Sequence, residues 1–223
     1  MAAHPIEVTG FGLVIFDCDG VLIDSEPIAN LVFSRRLAAV GIQMSPEEVM
    51  RTFVGRSRDT CIAMAGEMRG EKLPADFAAK WDEALHEALE REVKPIDGVP
   101  ELLRSLPIPY CVASNGEPGH MERGLRAAGL MPLVEGRLFS AAQVARPKPA
   151  PDVYLHAART MGFPPSRCAV VEDTPTGAES GVAAGMKVFG YVAGPQSDRE
   201  AMRALGATTF TRMSELPALF GVA

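Results

Sequence analysis

Residues 11–26 read FGLVIFDCDGVLIDSE, and this stretch decides the fold. Its first part, Phe11 to Phe16, is a short apolar run with no charged position. Such a run reads as a strand covered on both faces, as the inner strands of parallel sheets are. Asp17-Cys18-Asp19-Gly20 follows at once, so two carboxylates leave the sheet together at the strand's C-terminal end. Like charges so placed are costly unless a cation or a shared proton compensates them.

Downstream the period changes. Between Pro27 and Val40, the side chains of Ile28, Leu31, Val32, Leu37 and Val40 can share one helix face. Ser45-Pro46-Glu47-Glu48 reads as a helix start, with Ser45 as N-cap, Pro46 in the first turn and Glu48 closing a capping box. Trp81, Leu85 and Leu89 recur at four-residue steps. Helical patterning thus fills residues 25–94. Beyond Pro95, short apolar runs predict strands at 110–113, 138–140, 168–171, 187–192 and 208–210, alternating with helices at 121–129, 152–161 and 176–184. Alternation of this kind predicts an α/β fold, a Rossmann-like open parallel sheet with helices on both faces. Residues 1–24 and 95–223 would form that core, and 25–94 an inserted all-α helical-bundle cap domain. An insertion after the first strand lands beside the C-terminal strand ends, where open α/β sheets bind ligands. It could serve as a lid, hinged near residues 24–26 and 94–97.

Composition narrows the function. The chain has 223 residues, 47% hydrophobic and 22% charged, with eighteen Pro and twenty-one Gly scattered along it. That is ordinary globular usage. A formal net charge of −6 disfavours nucleic acid or an anionic membrane as partner. It leaves room for a small phosphorylated metabolite held by a metal ion and local cations. No apolar run approaches the roughly 20 residues of a membrane span. Met1 to Gly10 lacks a basic region followed by an apolar stretch. Cys18, Cys61, Cys111 and Cys168 lie far apart, without zinc-site spacing, and read as reduced, buried thiols. The expectation is a cytoplasmic protein, with a monomer as the default.

Polar residues recur at the strand exits: Asp17 and Asp19, then Ser114 after YCVA, Lys148 in RPKP, and Glu172-Asp173 after AVV. These types suit phosphoryl transfer. A hard dication needs several oxygen ligands, which Asp17 and Asp173 can supply, with Glu172 as a further candidate. Aspartate can accept a phosphoryl group covalently, so Asp17 can attack phosphorus. Asp19 could protonate the leaving oxygen and then activate water. Lys148 and Ser114 would hold the phosphoryl oxygens.

FDCDGVLIDSE, ASNG, RPKPAPD and VVEDTPTG, in this order, resemble the four signature motifs of the haloacid dehalogenase superfamily. The resemblance covers nearly the whole chain. The helical insert looks like the cap of the subgroup holding β-phosphoglucomutase, phosphoglycolate phosphatase and sugar-phosphate phosphatases. It implies Mg²⁺ as cofactor, Asp17 as nucleophile, and Asp19 as general acid/base whose main-chain carbonyl also binds the metal. Ser114 and Asn115, followed by Gly116, fall where the family grips phosphate. Lys148 falls where it pairs with nucleophile and phosphate, and Glu172 and Asp173 fall at the acidic metal motif.

The resemblance leaves three activities to weigh. A phosphatase acting on a sugar or sugar-acid phosphate comes first; SNG and the C-terminal TTFTRMSELPALF are similar to bacterial enzymes acting on 6-phosphogluconate. A sugar phosphomutase comes second, since Gly55 and Arg58 match a mutase cap loop. The histidine such mutases place twelve residues after the nucleophile is Ala29 here. A non-catalytic sensor comes third, against the intact Asp17, Asp19, Lys148 and Asp173. Dehalogenation is disfavoured because Asp19 is present.

Arg56 and Arg58 are candidates to bind a substrate carboxylate or second phosphate; the alternative is two solvated arginines at a helix start. His4, His86, His120 and His156 show no metal-site spacing. Cys18 reads as a packed small residue, Asp24 and Glu26 as hinge residues, and Gly177 as a site of close packing at a helix start.

Overall fold

The computed structural model describes residues 10–53, 56, 58–194 and 197–222. The chain runs β1 (Leu13–Phe16), α1 (Glu26–Ala38), α2 (Pro46–Phe53), α3 (Arg58–Arg69), α4 (Phe77–Glu92), α5 (Val99–Ser105) and β2 (Tyr110–Ser114). It continues through α6 (Pro118–Ala127), α7 (Met131–Val134), β3 (Leu138–Ser140), α8 (Asp152–Met161), β4 (Cys168–Glu172) and α9 (Pro175–Ala183). It ends with β5 (Lys187–Tyr191), α10 (Arg199–Ala204), β6 (Thr208–Phe210) and α11 (Leu216–Phe220). Among the described residues, no helix is long and apolar enough to cross a membrane.

The strands form one six-stranded sheet in the order β3-β2-β1-β4-β5-β6, and every pairing is parallel. β1 is therefore central: Ile15 faces Cys111 on one side and Val170 on the other. Its side chains alternate between two cores. Val14 and Phe16 pack with Leu102, Leu103, Met121 and Leu125 of α5 and α6. Leu13 and Ile15 pack with Tyr154, Ala157 and Ala178 of α8 and α9. Fully burying each such side chain contributes about 1.5–3 kcal/mol, and no position of β1 can be polar. Because the strands are parallel, all their C-terminal ends reach one edge.

The helices of residues 26–92 have a core of their own. Phe33, Leu37, Val49, Phe53, Cys61, Ala65 and Phe77 cluster there, with Trp81 stacked on Phe33 at a ring separation of 4.0 Å. The Ser45 capping box is present: Ser45 N donates to Glu48 Oε2 at 2.7 Å, and Glu48 N to Ser45 Oγ at 3.2 Å. The chain enters and leaves this helical group side by side. Ile23 and Pro95 form an antiparallel bridge, Asp24 N donates to Lys94 O, and Ile96 N donates to Leu22 O.

Several boundaries differ from the sequence reading. β1 begins at Leu13, since Phe11 turns its ring onto Phe189 and Phe220. α6 starts at Pro118, not Met121, because proline in the first turn needs no N–H partner and the preceding Glu117 is extended. α9 starts at Pro175 for the same reason, with Thr174 Oγ1 accepting from Gly177 N at 3.1 Å as a true cap.

Candidate active site

The strand edge collects the polar residues. Asp17 stays in the ladder, its N–H donating to Val171 O at 2.9 Å, and is only 8% exposed. The chain then turns sharply at Gly20, whose φ of 76° is left-handed. A Cβ there would lie 2.0 Å from Asp173 Oδ2, so the turn needs glycine for space as well as for conformation. Asp19 emerges beside this turn and accepts a 2.6 Å bond at Oδ1 from Ser25 Oγ.

Lys148 ties the motifs together. Its Nζ donates to Asp17 Oδ1 at 2.6 Å, to Glu172 Oε1 at 2.7 Å and to Ala113 O at 3.0 Å. These contacts match the three protons of an ammonium. Its Nζ also lies 4.6 Å from the centre of the Tyr154 ring. The Lys148 backbone is clamped by Asn115: Oδ1 accepts from Lys148 N at 2.8 Å and Nδ2 donates to Lys148 O at 3.3 Å. Asn115, expected to hold phosphate, also places the Lys148 backbone through these two bonds. Ser114 Oγ accepts from Gly116 N at 3.0 Å, and Ser140 Oγ donates to Gly116 O at 2.6 Å, which folds the Ser114–Gly116 loop toward Asp19.

Glu172 is the most heavily bonded carboxylate of the site. Oε1 accepts from Lys148 Nζ and from Tyr154 OH at 2.8 Å; Oε2 accepts from Asp173 N, Thr174 N and Thr174 Oγ1. Asp173 is the opposite case, since its Oδ1 is buried without a hydrogen-bond partner. Asp17, Glu172 and Asp173 each offer an oxygen within 4.8 Å of the others, the arrangement of a cation site.

Charge follows from this geometry. Burial raises the Asp17 carboxyl to about 7; Lys148 pulls it down, while Glu172 and Asp19 push it up. Burial, then the charges of Glu172, Asp17 and Glu26, hold Asp173 well above the carboxylate range. Glu172 is lowered: burial opposes ionisation, but Lys148 and the bonds from Tyr154 and Thr174 outweigh it. Lys148 is raised, because its two carboxylates more than offset burial. Burial and the flanking aspartates keep the Cys18 thiol neutral, so it is a packed residue.

Arg56 and Arg58 bond within the helical group. Arg56 Nε donates to Thr52 O at 3.2 Å. Arg58 closes its fork on Asp82, Nε to Oδ1 at 2.9 Å and Nη2 to Oδ2. Gly55 and His4 lie outside the described residues. The structure joins two histidines that the sequence left apart: the rings of His86 on α4 and His120 on α6 are 5.4 Å apart, and His86 Nε2 is 3.2 Å from Arg123 Nη2. Sequence reasoning assigned no role to Ser25, although it stands in the first strand-end motif, or to Tyr154, which stands in none.

Residues 11–185 match the family model for haloacid dehalogenase-like hydrolases. The chain is 33% identical over 208 residues to the 6-phosphogluconate phosphatase of Escherichia coli K12, covering 93% of each. It is 36% identical to hexitol phosphatase A of the same organism over 78% of this chain and 80% of that one. A haloacid dehalogenase family hydrolase of Deinococcus radiodurans, solved with bound phosphate and sodium, superposes with a TM-score of 0.83 at 34% identity, covering 96% of this chain and 97% of that one.

Proposed function

Because the chain belongs to the haloacid dehalogenase-like hydrolase family and is a phosphoric monoester hydrolase, we propose that it hydrolyses a small phosphorylated sugar or sugar derivative through an aspartyl-phosphate on Asp17. The observation that carries this reading is the buried bond from Lys148 to Asp17 Oδ1. It fixes the carboxylate at the strand edge and engages one oxygen, leaving the other to meet phosphorus.

In the first step an Asp17 carboxylate oxygen bonds to phosphorus, the ester P–O bond breaks, and Asp19 gives its proton to the departing alkoxide. In the second, Asp19 takes a proton from water, the water oxygen bonds to phosphorus, and the Asp17–phosphorus link breaks to release phosphate. Ser25, bonded to Asp19 Oδ1, orients that carboxyl through both proton transfers. The Ser114–Gly116 loop offers donors to the phosphoryl oxygens, and Lys148 adds its positive charge beside them.

The residues fit a hard divalent cation. Three carboxylates crowd together, two of them are reluctant to ionise, and Asp173 Oδ1 is buried without a partner. We assign Asp17, Asp173 and the Asp19 main-chain carbonyl to hold Mg²⁺, with Glu172 behind them steering Lys148 and the Asp173–Thr174 backbone. The bound ion supplies charge neutralisation for the phosphate and the carboxylates. The helices of residues 26–92 serve as a lid that excludes bulk water from the first step.

The test is phosphate release from a panel of phosphorylated sugars, polyols, sugar acids, glycolate and nucleotides, with and without Mg²⁺. Release that needs Mg²⁺ and vanishes in Asp17→Asn is the expected result. Interconversion of two phosphosugars with no free phosphate would overturn hydrolysis in favour of transfer between sugars.

A further inference from the structure

Lys148 Nζ stands between two buried carboxylates at nearly equal distance, Asp17 Oδ1 at 2.6 Å and Glu172 Oε1 at 2.7 Å. A lysine ammonium is a compact charge on a flexible four-carbon stem. The stem by itself does not decide which carboxylate the charge serves. Away from water, the carboxylate with fewer other donors draws a shared cation harder. Glu172 Oε2 is fully engaged by Asp173 N, Thr174 N and Thr174 Oγ1, so the balance rests on Oε1.

Tyr154 touches both the ammonium and its second partner. Its hydroxyl donates at 2.8 Å to Glu172 Oε1, the same oxygen that accepts from Lys148, and its ring centre lies 4.6 Å from Lys148 Nζ. The hydroxyl meets part of the Glu172 charge with a neutral donor. The ring sets an aromatic face beside the ammonium, within reach of a cation–π attraction. Tyr154 is itself held fast: it stands in the first turn of α8, is wholly buried, and packs with Leu13, Ile15, Ala157 and Ala178. The loop leading from Lys148 into α8 is anchored as well, by Ser180 Oγ donating to Ala150 O at 2.7 Å. A stiff side chain packed on the central strand thus gives the ammonium a fixed reference.

We propose that Tyr154 is a positioning residue for the nucleophile. By donating to Glu172 it leaves the Lys148 charge with Asp17 Oδ1, and its ring keeps Nζ from swinging out of line. Without the hydroxyl, Glu172 Oε1 would have the ammonium as its one donor and would pull it away from Asp17. Tyr154 is wholly buried and does not line the 580 Å³ cavity that opens onto Asp173, so it acts through Lys148 and not on the substrate. A hydroxyl that merely satisfied its own burial would matter to stability and leave turnover alone. This inference rests on the phosphatase reading above and adds a part to its machinery.

The experiment measures kcat and KM for p-nitrophenyl phosphate, with saturating Mg²⁺, on the full chain, on Tyr154→Phe and on Leu155→Gly. Phenylalanine keeps the ring and removes only the donor. Leu155 is exposed on the outer side of α8, so Leu155→Gly weakens the same helix without altering its buried face. Tyr154→Phe should lower kcat by about tenfold, the weight of one hydrogen bond to a charged group, with KM unchanged. Leu155→Gly should lower the melting midpoint by about 2–4 °C and leave kcat unchanged. A wild-type kcat in Tyr154→Phe overturns the inference while leaving the phosphatase reading intact. A loss carried by KM alone does the same, because it would put the hydroxyl at the substrate. An equal fall of kcat in Leu155→Gly also overturns it, since loosening of α8 then accounts for the effect. If the wild-type protein releases no phosphate from p-nitrophenyl phosphate or from the phosphorylated panel, the phosphatase reading fails and this inference with it.

Discussion

Lys148 Nζ meets Asp17 Oδ1 at 2.6 Å across 131 residues of chain, in a pair almost wholly removed from water. The same ammonium bonds Glu172 Oε1 at 2.7 Å, so one cation holds two buried carboxylates.

Lys148→Met should therefore cost both stability and activity. It leaves Asp17 and Glu172 facing each other with no cation between them. Denaturant titration at pH 8 without Mg²⁺ should show a loss of about 3–5 kcal/mol, the cost of breaking a buried pair from one side. Turnover should fall by about a thousandfold. A denaturation midpoint equal to the wild type's would refute the pairing account.

The Asp17 carboxyl gives a pH signature. Its folded pKa of about 7 lies above the ordinary 3.8, so the native state keeps this proton where the unfolded state has lost it. Stability from this group is present at acid pH and drains away as pH rises from about 4 to about 7. Asparagine is neutral throughout. In metal-free buffer, Asp17→Asn should melt a few degrees above wild type at pH 8, and the gap should shrink steadily toward pH 5. A gap that ignores pH would show that Asp17 ionises normally.

Gly177 predicts an effect at a distance from substrate. A Cβ on it would lie 1.7 Å from Glu172 Oε1, an approach no real structure tolerates. Gly177→Ala must push Glu172 aside and disturb its bonds to Lys148, Tyr154 and Thr174. Overpacking of this kind costs about 1–3 kcal/mol, and turnover should fall with it. Activity within twofold of wild type would mean that Glu172 does not position Lys148.

Mg²⁺ should stabilise the fold in the absence of any substrate. Saturation at a hundredfold excess over Kd adds about 2.7 kcal/mol. Thermal melts with increasing Mg²⁺ would read this as a rising midpoint. Asp173→Asn removes the ligand whose oxygen is buried without a partner, and its melting point should respond weakly or not at all. An undiminished response in that variant would move the metal away from Asp173.

Much of this was legible in the sequence because parallel strands buried on both faces admit no polar residue until they end. Asp17, Ser114 and Glu172 are the first polar side chains after or at the close of such runs. Helix starts were read late where a proline preceded the first apolar position, at Pro118 and Pro175. The hydrogen-bond partners of Asn115, Tyr154 and Ser25 were not legible. Asn115 stands in a strand-end motif, yet its partner is the backbone of a loop 33 residues away. Tyr154 lies inside an amphipathic helix, where a buried aromatic is ordinary packing until its hydroxyl is seen on Glu172. Arg58 and Asp82, 24 residues apart on different helices, leave no periodic trace of their pairing.

The bridge between Ile23 and Pro95 has a topological consequence. Because entry and exit lie hydrogen-bonded next to each other, the whole segment between them is a single detour from an otherwise continuous framework. Beyond that crossing, α4 leans on the framework, with Leu89 buried in the core that holds Val14 and Phe16, while Phe33, Val49 and Phe77 pack among themselves. Residues of the detour that pack only among themselves, such as Phe33 and Val49, can be exchanged without touching the bond between Lys148 and Asp17. Where the chain leaves the sheet framework and where it returns are thus one place, a single pair of adjacent backbone crossings.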